Sequence, residues 1–280
     1  MKISIYNKIT LSLNYKNMNK VQVQKTSTLK SPIGRVGGKS KLSKEIVWLF
    51  PSHKHYVEVF GWWLSVFFAK EPSKLETVND INNDLINLWQ VIKNYPQSLS
   101  HYLNLLFVSR VIFNNIKASK YTPRNHIEKA AYFYYMIAQS FWSMRSHFAM
   151  NAKSWRKPKN LWKSFTKWSQ RFKFVTIEKM SFKDILNKYD KEDVFFYLDP
   201  PYYEYEDYYT GWFNKSQHIL LRDTLKNIKW KFLLSYNDCS EIRELYKGFH
   251  IRSTKEIAYT LWWNTKSKQK LVSELYISNY

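Results

Sequence analysis

Between His55 and Ile92 the chain twice exchanges a short β-rich run for a stretch of helical spacing, and this alternation limits the fold more than any other feature. His55-Tyr56-Val57-Glu58-Val59-Phe60 alternates as a strand does and stops at Gly61. Leu64 to Ala69 reads as a helix, and Thr77-Val78-Asn79-Asp80 as a second strand ending in an acid. Asp84 to Ile92 returns to helical spacing. Strands joined through helices lie parallel, because a hairpin turn cannot connect them, so the pattern predicts an α/β fold on a parallel sheet.

The same grammar resumes late in the chain. Phe174-Val175-Thr176-Ile177 is a strand candidate, Phe182 to Asn187 a short helix, and Val194 to Leu198 a strand. Gln217 to Ile228 reads as a helix, Trp230 to Ser235 as a strand, and Glu274 to Tyr280 as a closing strand. From about 95 to 170 the character differs. Aromatic-rich helical stretches, including Ile127 to Phe141, lead into a basic segment with Arg145, His147, Lys153, Arg156, Lys157, Lys159, Lys163 and Lys167. This region reads as an insertion, 95–170, between two parts of one sheet domain, 31–94 and 171–280. Residues 1–30 are expected to form an N-terminal extension or to add a small strand.

Hydrophobic residues make up 45% of the 280 and aromatics 18%, enough for a substantial core. The 44 Lys and Arg against 22 Asp and Glu give a net charge of +22, which points to a polyanionic partner, nucleic acid first. A basic surface with no such partner, or coding bias, accounts for the charge as well. Cys239 is the lone cysteine, which excludes an intramolecular disulfide and a cysteine-based zinc site. The sequence calls for no metal. No apolar run reaches membrane-span length, and the first 30 residues lack an apolar signal core. The expectation is an intracellular protein without membrane association, monomeric, with a dimer as the alternative.

Four short motifs carry chemistry. Asp199-Pro200-Pro201-Tyr202 ends the Val194–Leu198 strand in an acid, two prolines and a ring. Proline fixes φ and lacks an N–H, so the tip is stiff and its carbonyls are left to accept. Such a tip suits an exocyclic amine on a planar base: the Asp199 carboxylate and Pro200 carbonyl accept its protons while Tyr202 lies on the base. An ordinary Asp-Pro turn is the competing interpretation. Gly37-Gly38-Lys39-Ser40 resembles a phosphate-binding loop, but the earlier glycine that spacing requires is Ile33. It reads either as a turn before a helix or as a loop packed on an anionic cofactor group. Asp80 follows Gly61 by 19 residues, near the roughly 20 that separate a glycine turn from a ribose-binding acid, or it caps the next helix. Glu58 either orients the adjacent loop or is a solvated strand residue. Phe182 either flanks an adenine ring or packs in the core.

In this order the motifs resemble the Dam-type DNA adenine-N6 methyltransferase family, over about Ser31 to Tyr280. Arg35-Val36-Gly37-Gly38-Lys39 is similar to its Gly-Gly-Lys cofactor motif and Tyr56-Val57-Glu58-Val59-Phe60-Gly61 to the first half of its S-adenosylmethionine motif. Val78-Asn79-Asp80-Ile81-Asn82 is similar to its ribose-binding segment, Ser181-Phe182 to its adenine-contacting segment, and Asp199-Pro200-Pro201-Tyr202 to its catalytic motif. The resemblance implies a Rossmann-like methyltransferase sheet with a mainly helical target-recognition insertion. It implies methyl transfer from S-adenosylmethionine to adenine N6 in double-stranded DNA by base flipping. Asp199, Pro200 and Tyr202 are then catalytic. Arg35, Gly37, Gly38, Lys39, Glu58, Phe60, Gly61, Asp80, Phe182 and Asp199 hold the cofactor, and Arg145, Lys153, Arg156, Lys157 and Lys159 meet DNA.

The chain departs from that pattern after Phe60-Gly61, where a glycine-rich turn becomes Trp62-Trp63. Glycine serves such a turn by letting backbone approach the ligand and by adopting positive φ. Two indoles there define a second expectation, a DNA-binding relative whose cofactor loop is filled. An RNA or protein methyltransferase is disfavoured, since such sites more often carry Asn-Pro-Pro-Tyr.

Overall fold

The computed structural model describes residues 25–34, 39–140, 145–149, 161, 163–204, 213–254, 257–258 and 271–280. A 3-10 turn, Lys39–Lys41, leads into α1 (Ser43–Trp48), β1 (His55–Glu58), α2 (Ser65–Ala69), β2 (Leu75–Asn79) and α3 (Asn83–Asn94). Four helices follow: α4 (Pro96–Leu105), α5 (Arg110–Lys117), α6 (His126–Ala138) and α7 (Thr166–Phe172). The chain then gives β3 (Val175–Glu178), α8 (Phe182–Tyr189), β4 (Val194–Leu198), α9 (Lys215–Lys226), β5 (Lys231–Asn237), α10 (Ser240–Leu245) and β6 (His250–Ser253). Last come β7 (Ile257–Ala258), β8 (Leu271–Val272) and β9 (Glu274–Ser278).

Seven strands form one sheet in the order β3-β2-β1-β4-β5-β9-β6, while β7 and β8 pair separately. The first five are parallel, and β9 runs antiparallel between β5 and β6. The order reverses between β1 and β4. In open α/β sheets the crevice beyond the strand C-termini at such a reversal is where ligands bind.

Alternation along the strands divides the core between two faces. Tyr56, Phe195, Tyr197, Leu233 and Tyr276 pack with Ile46 and Val47 of α1, Phe67 and Phe68 of α2, and Leu88 and Trp89 of α3. Val57, Phe196, Leu234 and Ile277 face Ile185 of α8, Leu221 and Leu225 of α9, and Ile242 of α10. Both faces are covered, so the central strands are largely apolar, and among the polar residues buried in them Ser235, Asn237 and Glu274 lie near one end of the sheet; β4 and β9 are buried at every residue. Leu99 and Leu103 of α4, Phe113 of α5, Tyr135 of α6 and Phe172 of α7 continue the first face's core. The helical segment is thus built outward from α3 on shared apolar surface.

The predicted strands are present, β4 with the predicted bounds. The α2 helix starts at Ser65, one residue late, because Leu64 takes φ 51°. The α6 helix stops at Ala138, and Phe141 lies outside the described residues. Of the N-terminal region, Thr26 bridges antiparallel to Lys70, and Lys30 accepts a hydrogen bond from the Trp168 indole at 2.8 Å. Among the described residues no helix is long and apolar enough to cross a membrane.

Candidate active site

Asp199 leaves the end of β4 with its side chain beside β5. Lys39 Nζ lies 2.8 Å from Asp199 Oδ1 and 3.4 Å from Glu274 Oε2. It also hydrogen-bonds the Tyr202 hydroxyl and stands 4.5 Å from that ring's centroid. Ser235 Oγ donates to Asp199 Oδ1 at 3.1 Å, and Tyr197 OH lies 3.0 Å from Ser235 Oγ. Both contacts to the Asp199 carboxyl use Oδ1. Among the described residues no protein donor reaches Oδ2 or the Pro200 carbonyl, and the carboxyl is 19% exposed. Burial raises the Asp199 pKa, while Lys39 acts in the opposite direction. Lys39 and Glu274 are deeply buried, so each carboxylate here needs the ammonium as counter-ion.

A second acidic corner forms where β1 and β2 end. Asn79 donates to the Val59 carbonyl at 2.9 Å and the Met180 carbonyl at 3.1 Å, and accepts from Met180 N at 2.8 Å. One amide thus ties β1, β2 and the start of α8 together. Asp80 accepts from Trp62 N at 2.9 Å on Oδ2 and from Asn82 N at 2.8 Å on Oδ1. The cap of α3 is Asn82, which accepts from Asp84 N and Leu85 N, so Asp80 is not spent on capping. Burial pushes its carboxyl up to about 6. Gly61 has its N–H 2.6 Å from the Asn79 carbonyl, and a Cβ there would sit 2.8 Å from the same oxygen. Glycine is required by that approach.

Glu58 is 3% exposed, which excludes the solvated alternative. It accepts from Tyr56 OH at 2.6 Å, and burial pushes it up to about 8. Phe60 and Phe182 are buried together with their rings 6.0 Å apart, and Phe213 lies 5.7 Å from Phe182. The Phe182 ring therefore belongs to the core cluster in this conformation.

Trp62 connects the two acidic corners. Its backbone N–H holds Asp80, and its indole Nε1 donates 2.7 Å to the Asp199 carbonyl. It does so at φ 38°, a left-handed conformation that crowds a bulky L-residue. Trp62 packs toward the α8–α10 core and Trp63 toward the α1–α3 core. The indoles diverge, and only Trp62 crosses between the acids.

Arg145 is exposed, stands 5.0 Å over the Phe133 ring and has φ 60°. Arg35, Gly37, Gly38, Lys153, Arg156, Lys157 and Lys159 lie outside the described residues. Among the described residues no cluster of three or more His, Cys, Asp or Glu is arranged to hold a metal.

Three residues at the tip escaped the sequence reasoning: Ser235, Asn237 and Glu274. The signal was present in the first two, since polar Ser235 and Asn237 interrupt an apolar strand at alternate positions. Glu274 was read only as part of a strand, and its role depends on β9 being inserted beside β5.

The sequence profile of the D12 class N6 adenine-specific DNA methyltransferases matches residues 36–259. The Type II methyltransferase M1.LlaDCHI of Lactococcus lactis subsp. cremoris is 26% identical, over 87% of this chain and 93% of its own. The Type II methyltransferase M.CviBI of Paramecium bursaria Chlorella virus NC1A is 24% identical, over 87% and 97%. A DNA adenine methylase of Vibrio cholerae is 24% identical, over 78% and 85%.

Proposed function

Because the chain belongs to the D12 class N6 adenine-specific DNA methyltransferase family, we propose that it methylates adenine N6 in double-stranded DNA, with S-adenosylmethionine as donor and the target base flipped from the helix. The observation that carries this reading is the division of Asp199. Its Oδ1 is engaged by Lys39 and Ser235, while Oδ2 and the neighbouring Pro200 carbonyl have no protein donor among the described residues. Those two oxygens suit the two N6 protons of a flipped adenine. Accepting both concentrates the lone pair on nitrogen and fixes its direction, so the residues act by positioning and electrostatics. Tyr202, with its hydroxyl held by Lys39, is the stacking surface for the base.

The residues present suit the donor in chemical type. Asp80 retains a lone pair on each oxygen for ribose hydroxyls, and Gly61 brings backbone close. Glu58, Phe60 and Phe182 are assigned to the same site by the family's motifs, as are Arg35, Gly37, Gly38 and Lys39. When bound, S-adenosylmethionine supplies an electrophilic methyl on a sulfonium cation, which acids and ring faces favour. Residues 31–94 and 171–280 then form the catalytic unit. Residues 95–170 form the DNA-reading unit, with Arg145, Lys153, Arg156, Lys157 and Lys159 on its phosphate face.

Trp62 favours a second reading, a relative that binds DNA but is slow or inactive because the indole spans the gap between Asp80 and Asp199. Calorimetry with S-adenosylmethionine on the parent chain and on Trp62→Gly separates the two. Binding by the parent supports the enzyme, and binding by the glycine variant alone supports the obstructed relative. Binding by neither overturns the cofactor assignment.

A further inference from the structure

The tip of β4 cannot extend the sheet by its own backbone. Pro200 and Pro201 have no N–H, so the ladder that joins β4 to β5 from Phe195↔Lys231 to Leu198↔Leu234 has no donor to continue it. Yet β5 runs three residues further, to Asn237, because β9 pairs with it on the other side from Leu233↔Ser278 to Asn237↔Glu274. Two β5 side chains replace the missing ladder. Ser235, fully buried, donates to Asp199 Oδ1 at 3.1 Å. Asn237, on the same face two residues on, accepts from Tyr203 N at 3.1 Å and donates to the Tyr203 carbonyl at 3.2 Å. Tyr202 is suspended between these anchors, its ring 6.1 Å from Tyr236.

We propose that Asn237 and Ser235 are positioning residues for methyl transfer: Asn237 clamps the Tyr203 peptide and thereby sets the plane of Tyr202, and Ser235 fixes the rotamer of Asp199 so that Oδ2 is the oxygen presented to substrate. This rests on the adenine methyltransferase reading of the site. Neither side chain touches the base. Ser235 Oγ also lies 3.0 Å from Tyr197 OH, where either hydroxyl can donate, and 3.3 Å from the Leu198 carbonyl, so the serine is held from three sides. The charged and titratable groups facing Asp199 are Lys39 from the 3-10 turn, Glu58 from β1, Tyr197 from β4, Tyr202 from the tip, and Glu274 and Tyr276 from β9. Ser235 adds a donor to this set, and a donor favours the ionised carboxylate.

Single-turnover methylation of duplex DNA tests the proposal. Asn237→Ala should slow transfer by about tenfold or more while leaving cofactor KM within about twofold, since a misplaced stacking ring weakens the reacting geometry and not donor binding. Ser235→Ala should move the acid limb of the rate profile to higher pH, and Ser235→Thr, which keeps the hydroxyl, should restore it. A readout independent of turnover is hydrogen exchange of the segment around Tyr203. Its amide should be protected in the parent and exchange at least about tenfold faster in Asn237→Ala. Unchanged exchange overturns the clamp, and an unmoved pH limb in Ser235→Ala overturns the rotamer role. If the Tyr203 amide is protected but neither the parent nor Trp62→Gly transfers methyl, the clamp stands and the methyltransferase reading beneath it is removed.

Discussion

Asp199 gives one carboxyl oxygen to Lys39 and Ser235 and leaves the other without a protein donor among the described residues, and the smallest-scale predictions follow from that division. Asp199→Ala should reduce methyl transfer by about three orders of magnitude or more. DNA affinity should stay within about twofold, because the basic surface is untouched; filter binding beside a transfer assay checks both. Glu58 yields a pH effect. Its carboxyl titrates near 4.5 when unfolded and at about 8 in the fold, so the folded state binds the proton more tightly. That contribution to stability is complete below the unfolded value and is lost as pH rises through the folded one. Glu58→Gln should therefore gain on the parent between pH 5 and pH 9, by roughly a few kcal/mol. Urea unfolding at both pH values measures the gap, and a constant gap contradicts the account. At this scale the sequence was informative where chemistry is local. Asp199, Asp80, Gly61 and Lys39 announced themselves by motif; the first three follow the ends of β4, β2 and β1, and Lys39 reaches Asp199 from the 3-10 turn. Phe182 was named by the resemblance as well, and its ring packs on Phe60 and Phe213, which nothing in Ser181-Phe182 itself signals.

At the scale of elements, the sheet is anchored to the helical segment by a buried ionic junction. Glu76 at the start of β2 accepts from Lys70, from Ser73 N at 3.2 Å and from Arg171 of α7, whose guanidinium also lies 3.8 Å from the Phe67 ring centroid. Glu76→Ala would leave two buried cations without a carboxylate, so it should destabilise by about 3–5 kcal/mol. Replacing Lys54, an exposed partner ion-paired with Asp193 at the surface, by methionine should cost far less. Chemical denaturation of the two variants side by side makes the comparison. The elements themselves were largely legible. Continuous apolar runs such as Val194 to Leu198 mark strands buried on both faces, and β4 has the predicted bounds. The end of β5 was not legible, since its extension to Asn237 depends on pairing with β9, about 40 residues away in sequence. The α10 helix and β6 were also missed. The α10 helix buries only Ile242 and so shows no apolar stripe, and β6 is an exposed edge strand lacking a buried face.

For the whole molecule, charge and topology act together. The parallel half of the sheet places both acidic corners at one reversal of strand order, and the net charge of +22 surrounds them with an attraction for phosphate. Substituting Lys157 and Lys159 by alanine should weaken binding to any duplex and reduce the slope of log affinity against log salt by about two. Titrations at several salt concentrations report that slope, and an unchanged value would move the DNA face elsewhere. The target sequence was not legible, because base contacts come from a few side chains that composition does not mark. The central claim is that the Asp199 tip holds an adenine amine for methylation. It is tested most directly by nucleoside mass spectrometry of unmethylated duplex DNA after incubation with the protein and S-adenosylmethionine. The account predicts N6-methyladenine from the parent or from Trp62→Gly, and none when Asp199→Ala is introduced. A methyl group found on cytosine or only on RNA, or no product from either protein, would contradict it.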